Sequence, residues 1–399
     1  MSLPPIQNSV LFTLDDLDDA RQWLFKIRKK YSENSDIWDL CRDWDKIKQG
    51  ILEQLNDGSY EFRPIERYEM DDGAIISLWS SQDMIALKLL TQSFGTMMAQ
   101  HIPASCYHVK NHGGLKKAVK QTHAALPDYQ FIFRSDIKGY YESIHLDTLM
   151  TIIEVQIKHP ILLTLIRKAI YRTETRGGVF YDYHESGIPK GSPLSPLLGA
   201  IALIPLDQAM GEIKHIFYAR FMDDWVVCTK SKTALRKVIK RTHQIMQDLH
   251  FQLHPMKTYI GKISHGFNFL GYYMDAQKIL PSQETIRRFY ERTAARYAPP
   301  LEDSPRRSHN PGRDISLYPA NEAAPCNSMF EEILTAIMEN SFNDRDVIQR
   351  MQQYVCQWTR WLRIGLSTVD EYLYSVQVFI PSLFSCWSEG PLTLAWRVC

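Results

Sequence analysis

The sequence predicts an α+β chain, in which an antiparallel sheet carries helices, spread over 399 residues. Three observations predict it. Two apolar, β-prone runs, 216–222 and 225–229, enclose Asp223 and Asp224 and read as a hairpin with both aspartates at its tip. A further apolar run, 131–135, ends at Asp136 and reads as another strand. Long helical patterns precede, separate and follow these strands, so helices and strands segregate instead of alternating.

In chain order, Thr13 followed three residues later by Asp16 marks a helix start, and that helix should run to about residue 30. Residues 37–55 form a second amphipathic helix. Residues 144–176 read as helical, and the dense apolar pattern over 146–172 reads as core. The stretch GIPKGSPLSPLL, 187–198, is a Gly/Pro/Ser turn opening an apolar helix. Ser192-Pro193 and Ser195-Pro196 each read as an N-cap followed by proline at the first helical position. Backbone N–H groups at such a start can approach a phosphate or a base pair closely. The Asp223-Asp224 tip lacks the Gly or Asn that two-residue turns prefer, so chemistry and not turn propensity sets these residues. Adjacent carboxylates repel unless a cation lies between them. Asp136 offers a third carboxylate, and the Ile137 carbonyl a further oxygen ligand.

Residues 298–328 hold six prolines and read as a long linker. Beyond it Val347, Met351, Tyr354, Val355, Trp358, Trp361 and Leu362 recur at helical spacing, as in a bundle core, with Arg360 and Arg363 one turn apart beside the stripe. No stretch approaches the ~20 apolar residues that span a bilayer. No basic-then-apolar leader opens the chain. Seven scattered cysteines without a C-x-x-C pair read as reduced cytosolic thiols, which places the protein in the cytoplasm and disfavours zinc. A net charge of +1 argues mildly against nucleic acid as a partner, but basic clusters at 21–30, 110–120, 230–241 and 306–313 are masked by that sum.

Three carboxylates and one helix-start loop, in this order, resemble motifs A, B and C of reverse transcriptases. The resemblance continues: HFQLHPMKT, 250–258, is similar to motif D with Lys257 in the lysine position, and GFNFLGY, 266–272, to the primer-grip motif E. Segments 78–88 and 106–115 resemble the fingers of bacterial members related to group II introns, retrons and the defence-associated unknown groups. The likeness covers roughly residues 55–275. It implies a right-hand polymerase fold, with fingers and an N-terminal extension over 1–134, a palm over 135–275 carrying inserted fingers helices at about 145–186, a Pro-rich connector over 276–328 and a helical thumb over 329–399. Two positions depart from the pattern. Lys190 stands where the family usually has Gln, and Ala200 where many members have Asn. A lysine there would touch a phosphate in place of a base edge. Trp225 after the aspartate pair favours the unknown-group branch.

The resemblance implies RNA-directed DNA synthesis from dNTPs, with two Mg²⁺ ions (or Mn²⁺) held by Asp136, Ile137, Asp223 and Asp224, and Lys257 beside the leaving pyrophosphate. Tyr141, five residues after Asp136, matches the steric gate against a 2′-hydroxyl. Gly191 and Ser192 would line the nucleotide site, and Arg63 and Arg67 would meet the triphosphate. Lys110, Lys116, Lys117, Lys120, Lys190, Arg360 and Arg363 would contact nucleic acid. The short segment after the thumb leaves no room for a nuclease or integrase, which points to a bacterial anti-phage enzyme copying a dedicated structured RNA. Template-independent or protein-primed synthesis, a mobile-element enzyme and a non-catalytic RNA scaffold are the competing readings. The intact carboxylates argue against the scaffold.

Overall fold

The computed structural model describes residues 11–70, 75–182, 184–297 and single positions between 353 and 363. Helix α1 (Leu14–Arg28) starts as its sequence requires: Thr13 accepts from the Asp16 amide while the Asp16 carboxylate accepts from the Thr13 amide, a reciprocal cap. Helix α2 (Asp36–Asp57) stops at Gly58, whose φ of +81° gives the left-handed end that a side chain would resist. The following elements are β1 (Ile65–Glu69), β2 (Ile75–Leu78), α3 (Ser81–Met98), α4 (Gly114–Ala125), β3 (Phe131–Ser135) and the short α5 (Tyr140–Ser143). Helices α6 (Leu146–Gln156) and α7 (Pro160–Ile170) occupy the apolar stretch expected to be core. Strands β4 (Glu174–Arg176) and β5 (Val179–Tyr181) precede α8 (Ser195–Ala202) and α9 (Ile204–Glu212). The hairpin is β6 (Ile216–Phe221) with β7 (Asp224–Thr229), followed by α10 (Lys232–Asp248), β8 (Tyr259–Lys262), β9 (Phe267–Phe269), β10 (Tyr272–Met274), β11 (Ile279–Pro281) and α11 (Gln283–Tyr297).

The chain divides into two compact units, residues 1–114 with 133–258, and 115–132 with 259–399. In the first unit β6, β7 and the end of β3 are neighbours in that order, with β6 and β7 antiparallel from Ile216↔Thr229 to Phe221↔Asp224. Both faces of β7 are covered: Trp225, Val226, Val227 and Cys228, which alternate between the two faces, are all fully buried, and α10 packs on β7. A second sheet, ordered β2-β1-β4-β5, mixes antiparallel hairpins with a parallel β1–β4 pair. Arg28 ties α1 into this unit, with its buried guanidinium on Ser81 and the Trp79 carbonyl at the mouth of α3.

In the second unit β9, β10 and β11 form an antiparallel meander. The β9–β10 turn is Leu270-Gly271, and both residues have positive φ, the geometry of a two-residue hairpin matched to strand twist. Strand β11 and helix α11 fill the first part of the expected connector: Pro281 ends the strand, and no further proline comes before residue 299 to interrupt the helix. Trp358 stacks on Phe289 of α11 at 3.9 Å between ring centroids, and Tyr272 donates to the Leu362 carbonyl. The apolar stripe of the expected thumb therefore serves as packing at Trp358 and Leu362, while Trp361 is exposed. Residues 298–352 and 364–399, and with them most of the expected connector and thumb, lie outside the described residues.

The capping expected at the motif B helix is overturned. Neither Ser192 nor Ser195 is the N-cap of the motif B helix, since α8 starts after Leu194 without any side-chain cap. Ser192 Oγ accepts from the Leu194 amide inside the preceding turn, and Ser195 Oγ donates to the Pro189 carbonyl. Local turn bonds have won over capping.

Candidate active site

Register places the two neighbouring aspartates differently. Phe221 pairs with Asp224, so the turn is Met222-Asp223; Asp224 belongs to β7 and is not at the tip, contrary to expectation. Met222 has φ +58°, a left-handed value uncommon for a residue with a side chain. Burial, and then the neighbouring Asp136, push the Asp223 carboxyl up to about 6. Burial also raises Asp224, against the pull of Arg134, whose Nε and Nη2 meet the two Asp224 oxygens at 3.1 Å each. Arg134 and Asp136 share one face of β3 by strand alternation.

Asp136 is 7% exposed, and both its oxygens accept from Lys257 Nζ at 3.1 Å. The motif D segment reaches this point because Lys138 donates to the Gln252 carbonyl and His254 to the Asp136 carbonyl, an antiparallel bridge centred on Ile137 and Leu253. That pattern directs the Ile137 carbonyl away from the 252–254 segment.

Tyr141 packs beside the turn: its hydroxyl lies 3.4 Å from Met222 Sδ, and burial pushes it up to about 12. Gly199 on α8 is what lets the tyrosines approach, since a Cβ there would lie 3.3 Å from Tyr140 and 3.5 Å from Tyr141. Tyr140 donates to the Gly199 carbonyl. Lys190 pairs with Glu142 at 2.5 Å, both exposed, and Gly191 has φ +90° beside the buried Ser192. Arg67 donates through Nη1 to Glu174, a carboxylate 1% exposed that also binds Arg172. Arg63 is exposed, and its backbone amide donates to Asp83. Lys110 lies in the first unit, whereas Lys116, Lys117 and Lys120 line the exposed face of α4 in the second. Arg360 and Arg363 are exposed in the second unit as well.

Four residues escaped the sequence reading: Arg134, Asp207, Arg220 and His108. Arg220 is completely buried, bonds Asp207 through Nε and Nη2, and sends Nη1 to the Met222 carbonyl at 2.8 Å. The i−2 spacing of Arg134 from Asp136 and of Arg220 from Met222 was the available signal. Asp207 and His108 are distant in sequence and carried none.

Among the described residues, no three His, Cys, Asp or Glu side chains are gathered closely enough to cage a metal ion. The donor set nevertheless fits divalent cations in kind. The Asp136 charge raises the proton affinity of both Asp223 and Asp224, as hard oxygen ligands in a shared field do, and Asp136 and Asp224 already hold a protein cation. Also among these residues, no helix is long and apolar enough to cross a membrane, and Cys41, Cys106 and Cys228 are unpaired thiols.

Comparison with known proteins gives distant likenesses. A stretch of 181 residues is 27% identical to an uncharacterized 91 kDa protein in the cob intron of Schizosaccharomyces pombe, covering 42% of this chain and 21% of that one. Protein YkfC of Escherichia coli is 21% identical over 56% of this chain and 70% of its own length. The group II intron-encoded protein LtrA of Lactococcus lactis is 27% identical over 43% of this chain and 29% of its own. The chain thus matches only a minor part of two of these three relatives. The solved apo telomerase of Candida Tropicalis, truncated from its C-terminal domain, is 13% identical with a TM-score of 0.46 over 60% of each chain. The family model for reverse transcriptase (RNA-dependent DNA polymerase) matches residues 75–274, half of the sequence, and the chain belongs to that family.

Proposed function

We propose that this protein is an RNA-directed DNA polymerase that adds dNTPs to a primer 3′-hydroxyl. The observation that carries this reading is the meeting of Asp136 and Asp223 in one buried electrostatic cluster, with Lys257 on one side and Tyr141 behind the turn. Phosphoryl transfer asks little covalent work of the protein, so positioned charge is its main contribution. Asp136 and Asp223 would hold the divalent ions, with Asp224 and the Ile137 carbonyl as further oxygen donors. Two such ions, Mg²⁺ or Mn²⁺, supply activation of the 3′-hydroxyl and neutralisation of the leaving pyrophosphate. Lys257, released from Asp136, pairs with the pyrophosphate. Tyr141 closes the pocket under the sugar edge. The loop at Gly191 and Ser192 faces the nucleotide, and Lys190 leaves Glu142 for a template phosphate.

The test is incubation of the full chain with an RNA template, a DNA primer and dNTPs, with Asp223→Asn as control. Extension that requires the template and copies its sequence supports the reading. Product made without template would favour terminal addition, and extension by Asp223→Asn would sink the site.

The likeness of the motifs to defence-associated members, including Trp225 after the aspartates, supports a narrower role in the bacterial cytoplasm. There the enzyme copies one structured non-coding RNA encoded nearby during phage infection. Sequencing RNA cross-linked to the protein in its host decides this. An even sample of transcripts with no matching cDNA would defeat the defence role and leave a mobile-element enzyme as the better account.

A further inference from the structure

Met222 precedes Asp223 in the turn and holds a left-handed φ of +58° despite its side chain. A strained backbone of this kind persists only where its surroundings over-determine it. Three groups of this one residue are held, each from a different segment. Its amide donates to His108 Nδ1 at 3.0 Å, its carbonyl accepts from Arg220 Nη1 at 2.8 Å, and its sulfur lies 3.4 Å from the Tyr141 hydroxyl.

The His108 ring has a definite tautomer as a result. Nδ1 must offer a lone pair to the Met222 amide, so Nε2 carries the proton and donates to the Pro196 carbonyl, 3.3 Å away. The Cys106 thiol, 3.5 Å from Nδ1, adds only a weak contact. Burial pushes His108 down to about 4, in keeping with a neutral ring at physiological pH. Arg220 is held in turn by Asp207, and its Nη2 reaches the Ala200 carbonyl at 3.1 Å. Pro196 and Ala200 both belong to α8, the helix behind the Lys190 loop. The same two side chains therefore bind the turn and that helix.

We infer that His108 and Arg220 form a two-sided clamp on Met222 that fixes the Asp223 carboxylate and ties the turn to α8, so that both are positioning residues for nucleotide addition. Resting as it does on the polymerase reading, the inference reaches beyond the aspartates to a histidine from the distant 106–115 segment. A histidine that merely filled space would leave the turn's geometry to its own local preference, and a non-glycine turn residue prefers φ below zero.

The experiment compares His108→Ala, His108→Asn and His108→Gln in the full chain by primer extension, with kcat and KM for dNTP measured beside the melting temperature. The Asn oxygen falls about where Nδ1 lies, whereas Gln places its amide nearer Nε2. We expect His108→Ala and His108→Gln to lower kcat roughly 10- to 100-fold with KM changed about twofold or less, a range typical of a displaced catalytic group. His108→Asn should recover most of that loss. In a Met222→Gly background, where glycine adopts positive φ unaided, His108→Ala should cost far less than in the wild type. Equal rates for Ala and wild type, equal losses for Ala and Asn, or an undiminished cost in the glycine background would each overturn the clamp. Should the Ala variant fail to fold, the Asn and Gln variants carry the comparison. Nitrogen NMR of the histidines gives a readout independent of turnover: His108 protonated on Nε2 supports the clamp, and on Nδ1 refutes it. A wild-type chain that never extends a primer refutes the polymerase reading and leaves this NMR result to judge the clamp.

Discussion

Replacing Arg220 by methionine leaves the Asp207 carboxylate in a site where both partners' side chains are 0% exposed, with only the Tyr218 hydroxyl still donating to it. Removing one member of a buried ion pair costs about 3–5 kcal/mol, because an uncompensated charge stays behind. Whole-domain stability is about 5–15 kcal/mol, so the single variant should sit near the edge of folding. At about 2–4 °C per kcal/mol for a unit of this size, its melting temperature should fall by roughly 10 °C. The companion variant is Asp207→Leu with Arg220→Met, which removes both charges together. Its loss should shrink to about 1–3 kcal/mol, the cost of leaving buried polar groups such as the Met222 and Ala200 carbonyls without their donor. The informative contrast lies between two assays. Urea denaturation should show stability partly restored in the double variant, and primer extension should show no matching recovery, because nothing then holds the Met222 carbonyl. A double variant as unstable as Arg220→Met alone would refute the compensated-pair argument. One that regained both stability and rate would refute any link between this pair and the turn.

Other expectations follow from single contacts. Asp136→Asn or Asp223→Asn should lower nucleotide addition at least a hundredfold, since several kcal/mol of charge stabilisation are lost, and Asp223→Asn should raise the melting temperature of the chelated protein by removing a charge that burial and Asp136 disfavour. Tyr141→Ala should raise the rNTP-to-dNTP incorporation ratio; an unchanged ratio makes Tyr141 a packing residue. Neutralising Lys110, Lys116, Lys117 and Lys120 together should reduce the slope of log affinity for single-stranded RNA against log salt by about 3, at roughly 0.7 per phosphate contact. His108, ordinarily near 6.5 when unfolded and about 4 when folded, binds its proton more readily in the unfolded chain. Its contribution to stability is therefore complete above about pH 6.5 and declines as pH falls toward 4, so the wild type should lose more stability than His108→Asn across that window.

The strand-turn-strand around Asp223 was legible because apolar β-formers flank it on both sides, and α1 because its cap is local. The exact turn was not legible: whether it holds Asp223-Asp224 or Met222-Asp223 depends on register, which the pairing of Phe221 with Asp224 sets across the sheet. The serine caps failed for a related reason, since both hydroxyls found turn partners that no periodicity reveals. Asp136 and Lys257 were recognised by motif, yet their direct pairing across 121 residues needed the fold. Arg67 illustrates the opposite case: exposed by composition, it is committed to a buried carboxylate from a strand paired in parallel with its own.

Lys257 on Asp136 and Arg134 on Asp224 give the carboxylate cluster resident counter-ions of its own. Two of the three carboxylates are thus compensated by the protein's own cations, and among the described residues only Asp223 is left without one. An ion arriving at Asp136 would have to compete with the ammonium group already paired there. The half-exposed Lys257 can swing into water, whereas Arg134 is gripped at two points and mostly covered. The two aspartates should thus become available to a cation in order, Asp136 first, and a metal centre built here would have a sequence of assembly written into its own side chains.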